Sequence, residues 1–324
     1  MRRFLFGLIL ALGLCYPATA PAEDYPAKPI RLIVPFPPGG GTDLAGRLTA
    51  DFLSQRFGQS IIVENKPGAG SAIGIDLVAK SKPDGYILSW ASSDGVSMLP
   101  ALKSAMPYRI PQDFEFVAIA ARTSGIAVGV NPKLPFAKMA DLIAYAKANP
   151  GRLRYSTLGV GTSGHLAGAL ISKAAGIELV HVPYQGSAPA VTAAVGGFVD
   201  FVLAGTSSVK PYADAGQLRA LATFEMRRNP AAPDVPTLEE SGMPGVSAVN
   251  YYGILAPAGT PEPIRARIAK EIADMVKDPK TIERMRSLGI EPAFFDGAEY
   301  KEMMIADLAK WKDVGRSANI VLGE

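Results

Sequence analysis

Glycine-rich turns set between β-rich runs and helical repeats constrain this chain more than any other feature. Ile30–Val34 reads as a strand and residues 43–57 as a helix, with Leu44, Leu48 and Phe52 spaced by four on one face. The pattern repeats with strand 61–63, helix 71–80 and strand 86–91. In the middle of the chain come helix 137–147 and strand 153–157, then helix 164–175 and strand 179–182. A short helix near 188–195, strand 199–203, helix 207–215 and strand 218–223 complete that block. Such alternation predicts an α/β fold with parallel strands covered by helices. The 324 residues suit two lobes rather than one.

The tail differs. Pro257, Pro261 and Pro263 punctuate the entry to a helix over about 262–276, with Ile264, Ile268 and Ile272 on one face. Helices near 279–288 and 298–315 follow, and the tail is expected to pack back on the first lobe. The chain is expected to cross between lobes twice, near 120–130 and 244–254. This divides it into a first lobe of 23–124 and 250–324 and a second lobe of 125–249.

Residues 1–22 form a separate segment. Arg2 and Arg3 precede an apolar run from Phe4 to Cys15, and small residues at Ala18, Ala20 and Ala22 offer cleavage points. This pattern predicts a secretory signal cut after Ala22, since cutting after Ala20 would leave a proline first. A lipid anchor at Cys15 is disfavoured by Leu14, which stands where a small residue is needed. Cys15 is the single cysteine, so the exported chain would carry neither disulfide nor thiolate metal site. Loss of Arg2 and Arg3 takes the formal charge from +3 to +1, which argues against a polycation built for nucleic acid. The later apolar runs are short and interrupted, and a soluble, monomeric periplasmic protein is expected.

The turns suggest chemistry. In Pro35-Phe36-Pro37-Pro38-Gly39-Gly40-Gly41-Thr42-Asp43 the glycines let backbone approach a ligand, and the helix start that follows presents free N–H groups. A carboxylate suits such a place. Thr42 or Asp43 could equally be a plain helix cap. No Lys-Ser or Lys-Thr follows, which excludes a nucleotide P-loop. Pro67-Gly68-Ala69-Gly70-Ser71 forms a second turn, expected at the same sheet edge. Gly159-Val160-Gly161-Thr162-Ser163-Gly164 matches the dinucleotide fingerprint by letter, but Glu178 precedes its strand instead of ending it. The better reading is a third N–H cradle, with Thr157, Thr162 and Ser163 as added donors.

Evidence for catalysis is thin. The two histidines, His165 and His181, form no metal cluster in sequence, and no Gly-x-Ser-x-Gly elbow occurs. Asp43 and Asp200 could pair across a cleft, but a cap and a turn acid are their plainer roles. No catalytic residue, metal ligand or cofactor is assigned. Phe36, Trp90, Tyr184, Phe198, Tyr251 and Tyr252 lie near strand ends or crossings, and some could wall a pocket.

These segments also carry a family pattern. Tyr25-Pro26-Ala27-Lys28-Pro29-Ile30, Val34-Pro35-Phe36, Gly39–Asp43 and Val63-Glu64-Asn65-Lys66-Pro67-Gly68-Ala69-Gly70 come first. Pro83-Asp84-Gly85-Tyr86, His165-Leu166-Ala167-Gly168, His181-Val182-Pro183-Tyr184-Gln185-Gly186 and Gly196-Gly197-Phe198-Val199-Asp200 follow. Leu255-Ala256-Pro257-Ala258-Gly259-Thr260-Pro261 closes the set. In this order the chain resembles the Bug-type extracytoplasmic receptors of the tripartite tricarboxylate transporter system.

The resemblance implies a two-lobed periplasmic-binding-protein fold of the type II kind, with two crossings between lobes. It implies a solute-binding function toward a small di- or tricarboxylate or aromatic carboxylate, with a small and a large membrane transporter subunit as partners. A sensing accessory role or a periplasmic enzyme acting on an organic acid are the alternatives. By the resemblance, Phe36, Gly40, Gly41, Thr42 and Asp43 together with Gly68, Ala69 and Gly70 hold a carboxylate from the first lobe. Thr157, Gly161, Thr162 and Ser163 close from the second, with His165 and Tyr184 nearby. Asp200 would meet a donor group on the ligand. Two departures stand out. Ser92–Pro100 lacks the Asn-Pro pair usual in the cleft-facing segment, which leaves Ser93 and Asp94 as candidate contacts. Leu203-Ala204-Gly205-Thr206 replaces a more polar stretch. Both leave room for a bulkier or more apolar carboxylate than an acidic amino acid.

Overall fold

The computed structural model describes residues 25–123, 125–225, 227–229, 232–246, 248–317 and 320. The expected signal segment and its cleavage point lie outside them. The first elements are β1 (Ile30–Val34), α1 (Gly41–Phe57), β2 (Ile61–Asn65), α2 (Ala72–Ala79) and β3 (Ile87–Ser92). A π-type turn (Asp94–Met98) leads into the short α3 (Leu99–Leu102), followed by β4 (Phe114–Thr123). Then come β5 (Ile126–Val130), α4 (Met139–Ala148), β6 (Arg154–Thr157), α5 (Ser163–Ala175), β7 (Val180–Pro183), α6 (Ser187–Val195), β8 (Phe201–Gly205), α7 (Thr206–Asp214) and β9 (Arg219–Thr223). The chain ends with β10 (Tyr251–Pro257), α8 (Glu262–Met275), α9 (Pro279–Ser287), β11 (Ile290–Asp296) and α10 (Gly297–Ser317).

Two mixed sheets result. One has the order β11-β4-β10-β3-β1-β2, the other β7-β6-β8-β5-β9. Strand β1 pairs parallel to β2 and β3, and β6 pairs parallel to β7 and β8, as the helical crossovers require. The antiparallel members are β10, set between β3 and β4, and β5, set between β8 and β9. The wholly parallel sheets expected from sequence are therefore corrected, and the reason is physical. Each lobe receives, into the middle of its sheet, the strand with which the chain returns from the other lobe. Those strands fall where the sequence suggested mere crossings. Thr123 donates its N–H to the Asn250 carbonyl at 2.7 Å, so the two passages run side by side.

Alternation fixes the layers. In β5, Ile126, Val128 and Val130 face the cluster of Leu142, Tyr155, Leu166 and Phe201, while Ala127 faces that of Val191, Val202 and Val209. The first sheet likewise packs Ile30, Leu32, Val34 and Trp90 against α1 and α8 on one face. Ile75, Phe116, Leu255 and Tyr300 fill the other. Helix α1 ends as its sequence predicts, with Gly58 left-handed at φ 64° and its N–H returned to the Ser54 carbonyl. The tail packs on the first sheet through Tyr300 and Met304 of α10. Farther along α10, Trp311 joins Met98 and Leu102 in the cluster that also holds the second-sheet residues.

Candidate functional site

In an open parallel sheet, the loops that follow the strands' carboxyl ends gather at one edge. Here both sheets turn those edges toward each other. The first lobe contributes the starts of α1 and α2, and the second those of α5, α6 and α7. Contact across the gap is close. A Cβ added to Gly40 would collide with the Ser187 Oγ at the start of α6, and one on Gly41 would lie 2.6 Å from the Ser207 Oγ of α7. One on Gly70 would lie 2.6 Å from the Val160 carbonyl, and one on Gly186 would lie 2.8 Å from the Pro37 ring. The lobes are closed, and glycine is required where they meet.

Asp43 organises the first loop rather than standing free in the gap. Its side chain is 2% exposed. One oxygen accepts from the Gly39 N–H and from the Arg47 Nε, both at 2.9 Å, and the other accepts from the Asn65 Nδ2 at 2.8 Å. Asn65 also donates to the Phe36 carbonyl at 2.8 Å, which ties the β1 turn to the end of β2. Burial pushes the Asp43 carboxyl up, but the bonds from Arg47, Gly39 and Asn65 outweigh it and hold its pKa below the usual range. Thr42 is hydrogen-bonded to the buried Tyr252 hydroxyl. The second turn is unusual in its backbone: Gly68, Ala69, Gly70 and Ser71 all have positive φ, at 130°, 48°, 65° and 88°. Ala69 and Ser71 sit where an L side chain is disfavoured, and the buried Ser71 Oγ has no hydrogen-bond partner.

The third turn ties itself together. Thr162 donates its hydroxyl to the Gly159 carbonyl at 2.7 Å, and Thr157 Oγ1 lies 2.7 Å from the His181 Nε2. The Gly161 N–H donates to the His165 Nδ1 at 3.3 Å. The two imidazoles stack with centroids 4.1 Å apart. Burial lowers the pKa of both, and burial with the neighbouring His165 takes His181 to about 3, so the pair is neutral. Tyr184 donates its N–H to the Thr157 carbonyl at 3.0 Å and is half-buried beside the loop.

The segment after β3 links everything else. Asp94 Oδ1 accepts the Ser163 N–H, at the first turn of α5 in the opposite lobe, at 2.5 Å. Its Oδ2 accepts from the Asn250 Nδ2 at 2.6 Å and from the Ser92 hydroxyl at 3.2 Å. Asn250 holds this orientation because its Oδ1 accepts the Ser93 N–H at 2.8 Å. The Ser93 hydroxyl is turned elsewhere, accepting the Tyr251 N–H at 3.1 Å.

The structure thus brings the candidates of all three turns, with Ser93 and Asp94, to one inter-lobe edge. Asp200 is not among them. It precedes β8, at the opposite end of the second sheet, and accepts the Arg154 N–H at 2.7 Å. Phe198 is 73% exposed near that far end, and Trp90 is fully buried in the first core against Tyr252. Sequence reasoning missed Ser187 and Ser207, which face the first-lobe glycines, and Asn250, which meets Asp94. Their only signal was position: each stands where a strand or helix begins. Among the described residues, no group of three His, Cys, Asp or Glu could hold a metal ion, and no helix is long and apolar enough to cross a membrane.

Residues 45–320 match the model of the tripartite tricarboxylate transporter family receptor. The chain belongs to this family. Protein BugT of Bordetella pertussis is 32% identical, with 98% of this chain and 97% of that protein covered. The adipate complex of Rpa4515 from R. palustris superposes with a TM-score of 0.90 at 31% identity, covering 93% of this chain and all of that one. The periplasmic binding protein BugD gives 0.87 at 30%, with the same coverage. The family receptor and its relatives share the two-lobed periplasmic-binding fold seen here.

Proposed function

We propose that this receptor captures a small carboxylate between its lobes and presents it, closed, to small and large membrane transporter subunits. The observation that carries the reading is the meeting of five helix starts, from both lobes, at one buried edge. Free N–H groups and aligned dipoles there favour a negative charge, and closure removes the water that would weaken it. The first-lobe turns at 36–43 and 68–71 hold the carboxylate, and the loop 157–163 closes over it. The hydroxyl-bearing neighbours bind and shield but have no nucleophile–base partnership, so the protein binds its solute without transforming it. The family's extracytoplasmic role and the charged start of the chain support export, with the segment 1–22 removed. The adipate found with Rpa4515 supports an organic acid as the class of ligand.

Thermal unfolding of the purified protein against a panel of organic acids tests this. A ligand that binds only the folded form at a hundred times its Kd adds about 2.7 kcal/mol, and at least one carboxylate should raise the midpoint. A protein unmoved by every mono-, di- and tricarboxylate in the panel, yet shifted by a neutral or cationic solute, would sink the proposal. Mass spectrometry of solute carried through native purification gives an independent identification.

A further inference from the structure

Asp94 is a charged side chain with 2% exposure at the junction of both lobes and the crossing strands. A helix start in a binding cleft is where a ligand's carboxylate would be expected, yet the start of α5 is already bonded to this protein's own carboxylate. Each Asp94 oxygen has one N–H aimed at it, from Ser163 and from Asn250, neither of which can turn to accept. None of its hydrogen bonds, among the described residues, comes from a lysine or arginine. Burial pushes the Asp94 carboxyl up, and the donors from Ser163, Asn250 and Ser92 pull it back down.

Asp94 also lies close to the first-lobe turns. A Cβ on the adjacent Gly95 would collide with the Ser71 Oγ. The Asp94 charge is felt at Tyr252, whose hydroxyl is bonded to Thr42 at the start of α1. A solute carboxylate held by the α1 and α2 turns therefore shares a water-poor space with a resident acid.

We infer that Asp94 sets the specificity of the cleft: it fills the α5 position that a second ligand carboxylate would need, so the receptor selects acids with one carboxylate, and a neutral hydrogen-bond donor at the other end, over diacids. This rests on the carboxylate reading above and narrows it. A second carboxylate would find the α5 amide taken and a like charge beside it in a weakly screened site. A hydroxyl would find an acceptor.

Calorimetry on the full mature chain with two length-matched sets tests the inference. One set is hexanoate, 6-hydroxyhexanoate and adipate; the other is benzoate, 4-hydroxybenzoate and terephthalate. In whichever set binds, the hydroxy acid should bind most tightly and the diacid most weakly. Asp94→Asn should move the diacid-to-monoacid affinity ratio toward the diacid by about tenfold or more, because it removes the like charge. Should that variant fail to fold, Asp94→Ser offers the same comparison, and the ranking in the unsubstituted chain stands without any variant. A diacid bound at least as tightly as its monoacid by the unsubstituted chain, or a ratio unmoved in a folded Asp94 variant, overturns the role of Asp94 and leaves carboxylate capture standing. No binding of any acid in either set, by a folded chain that binds a neutral or cationic solute, overturns the carboxylate reading itself.

Discussion

At the scale of single residues, the acids and histidines of the cleft act mainly on one another. Asp43 spends its oxygens on Gly39, Arg47 and Asn65, so it shapes the first loop. Asp43→Ala should cost about 1–3 kcal/mol of stability by leaving buried donors unpaired, and weaken ligand binding through loss of loop order. Equal denaturation midpoints for the two proteins would refute that role. The histidine pair gives a pH prediction whose sign follows from its burial. His181 has its pKa lowered to about 3 in the folded chain, against roughly 6.5 when unfolded. The unfolded chain therefore takes up the proton first, and stability present above about pH 6.5 is lost as pH falls toward 3. His181→Gln should flatten the stability profile across that window, as followed by chemical denaturation at stepped pH. A profile of unchanged slope would show that the imidazole does not titrate as its surroundings require.

At the scale of elements, strands and helices with strong periodicity were legible, and the strands that carry the chain between lobes were not. Leu44, Leu48 and Phe52 announced α1, and Ile264, Ile268 and Ile272 announced α8, because four-residue spacing has few other meanings. β4 and β10 carry equally apolar sequence, but their antiparallel place depends on partners far along the chain, which a local pattern cannot express. The glycine turns were legible as turns for the same local reason, and their facing partners Ser187 and Ser207 were not. Asp200 misled because the sequence shows a strand's neighbour without showing which end of the sheet it occupies. The turn 68–71 carries a cost that local pattern did hint at. Ser71 has φ 88° and a buried, unpartnered hydroxyl. A left-handed L residue costs roughly 1–2 kcal/mol, so Ser71→Gly should stabilise the protein by about 1 kcal/mol. If the hydroxyl serves the ligand, the same change weakens binding, the opposition expected where strain is kept for function. Loss of stability in the glycine variant would mean the turn is not strained as its dihedrals indicate.

At the scale of the whole molecule, the shared hinge and the glycine contacts couple closure to binding. Each sheet takes its antiparallel strand from a chain that has just crossed, and Thr123 pairs with Asn250 where the two crossings meet. Rotation of one lobe must therefore pass through β4 and β10 while the glycine edges open or close. A ligand moves that equilibrium only as far as it binds the closed form better. Gly40 allows the two effects to be separated. Its φ of −86° is open to any residue, so a side chain there need not disturb the first lobe. On the facing side, however, the Ser187 hydroxyl already occupies the space that even a Cβ would need. Serine could rotate away from a methyl group, but not from a branched chain, so Gly40→Leu should fold normally and fail to close. Small-angle scattering with saturating ligand should then give a larger radius of gyration for the variant than for the unsubstituted chain, with ligand affinity reduced by tenfold or more. An identical radius and unchanged affinity would mean that the lobes do not need to meet at Gly40 for the protein to hold its solute.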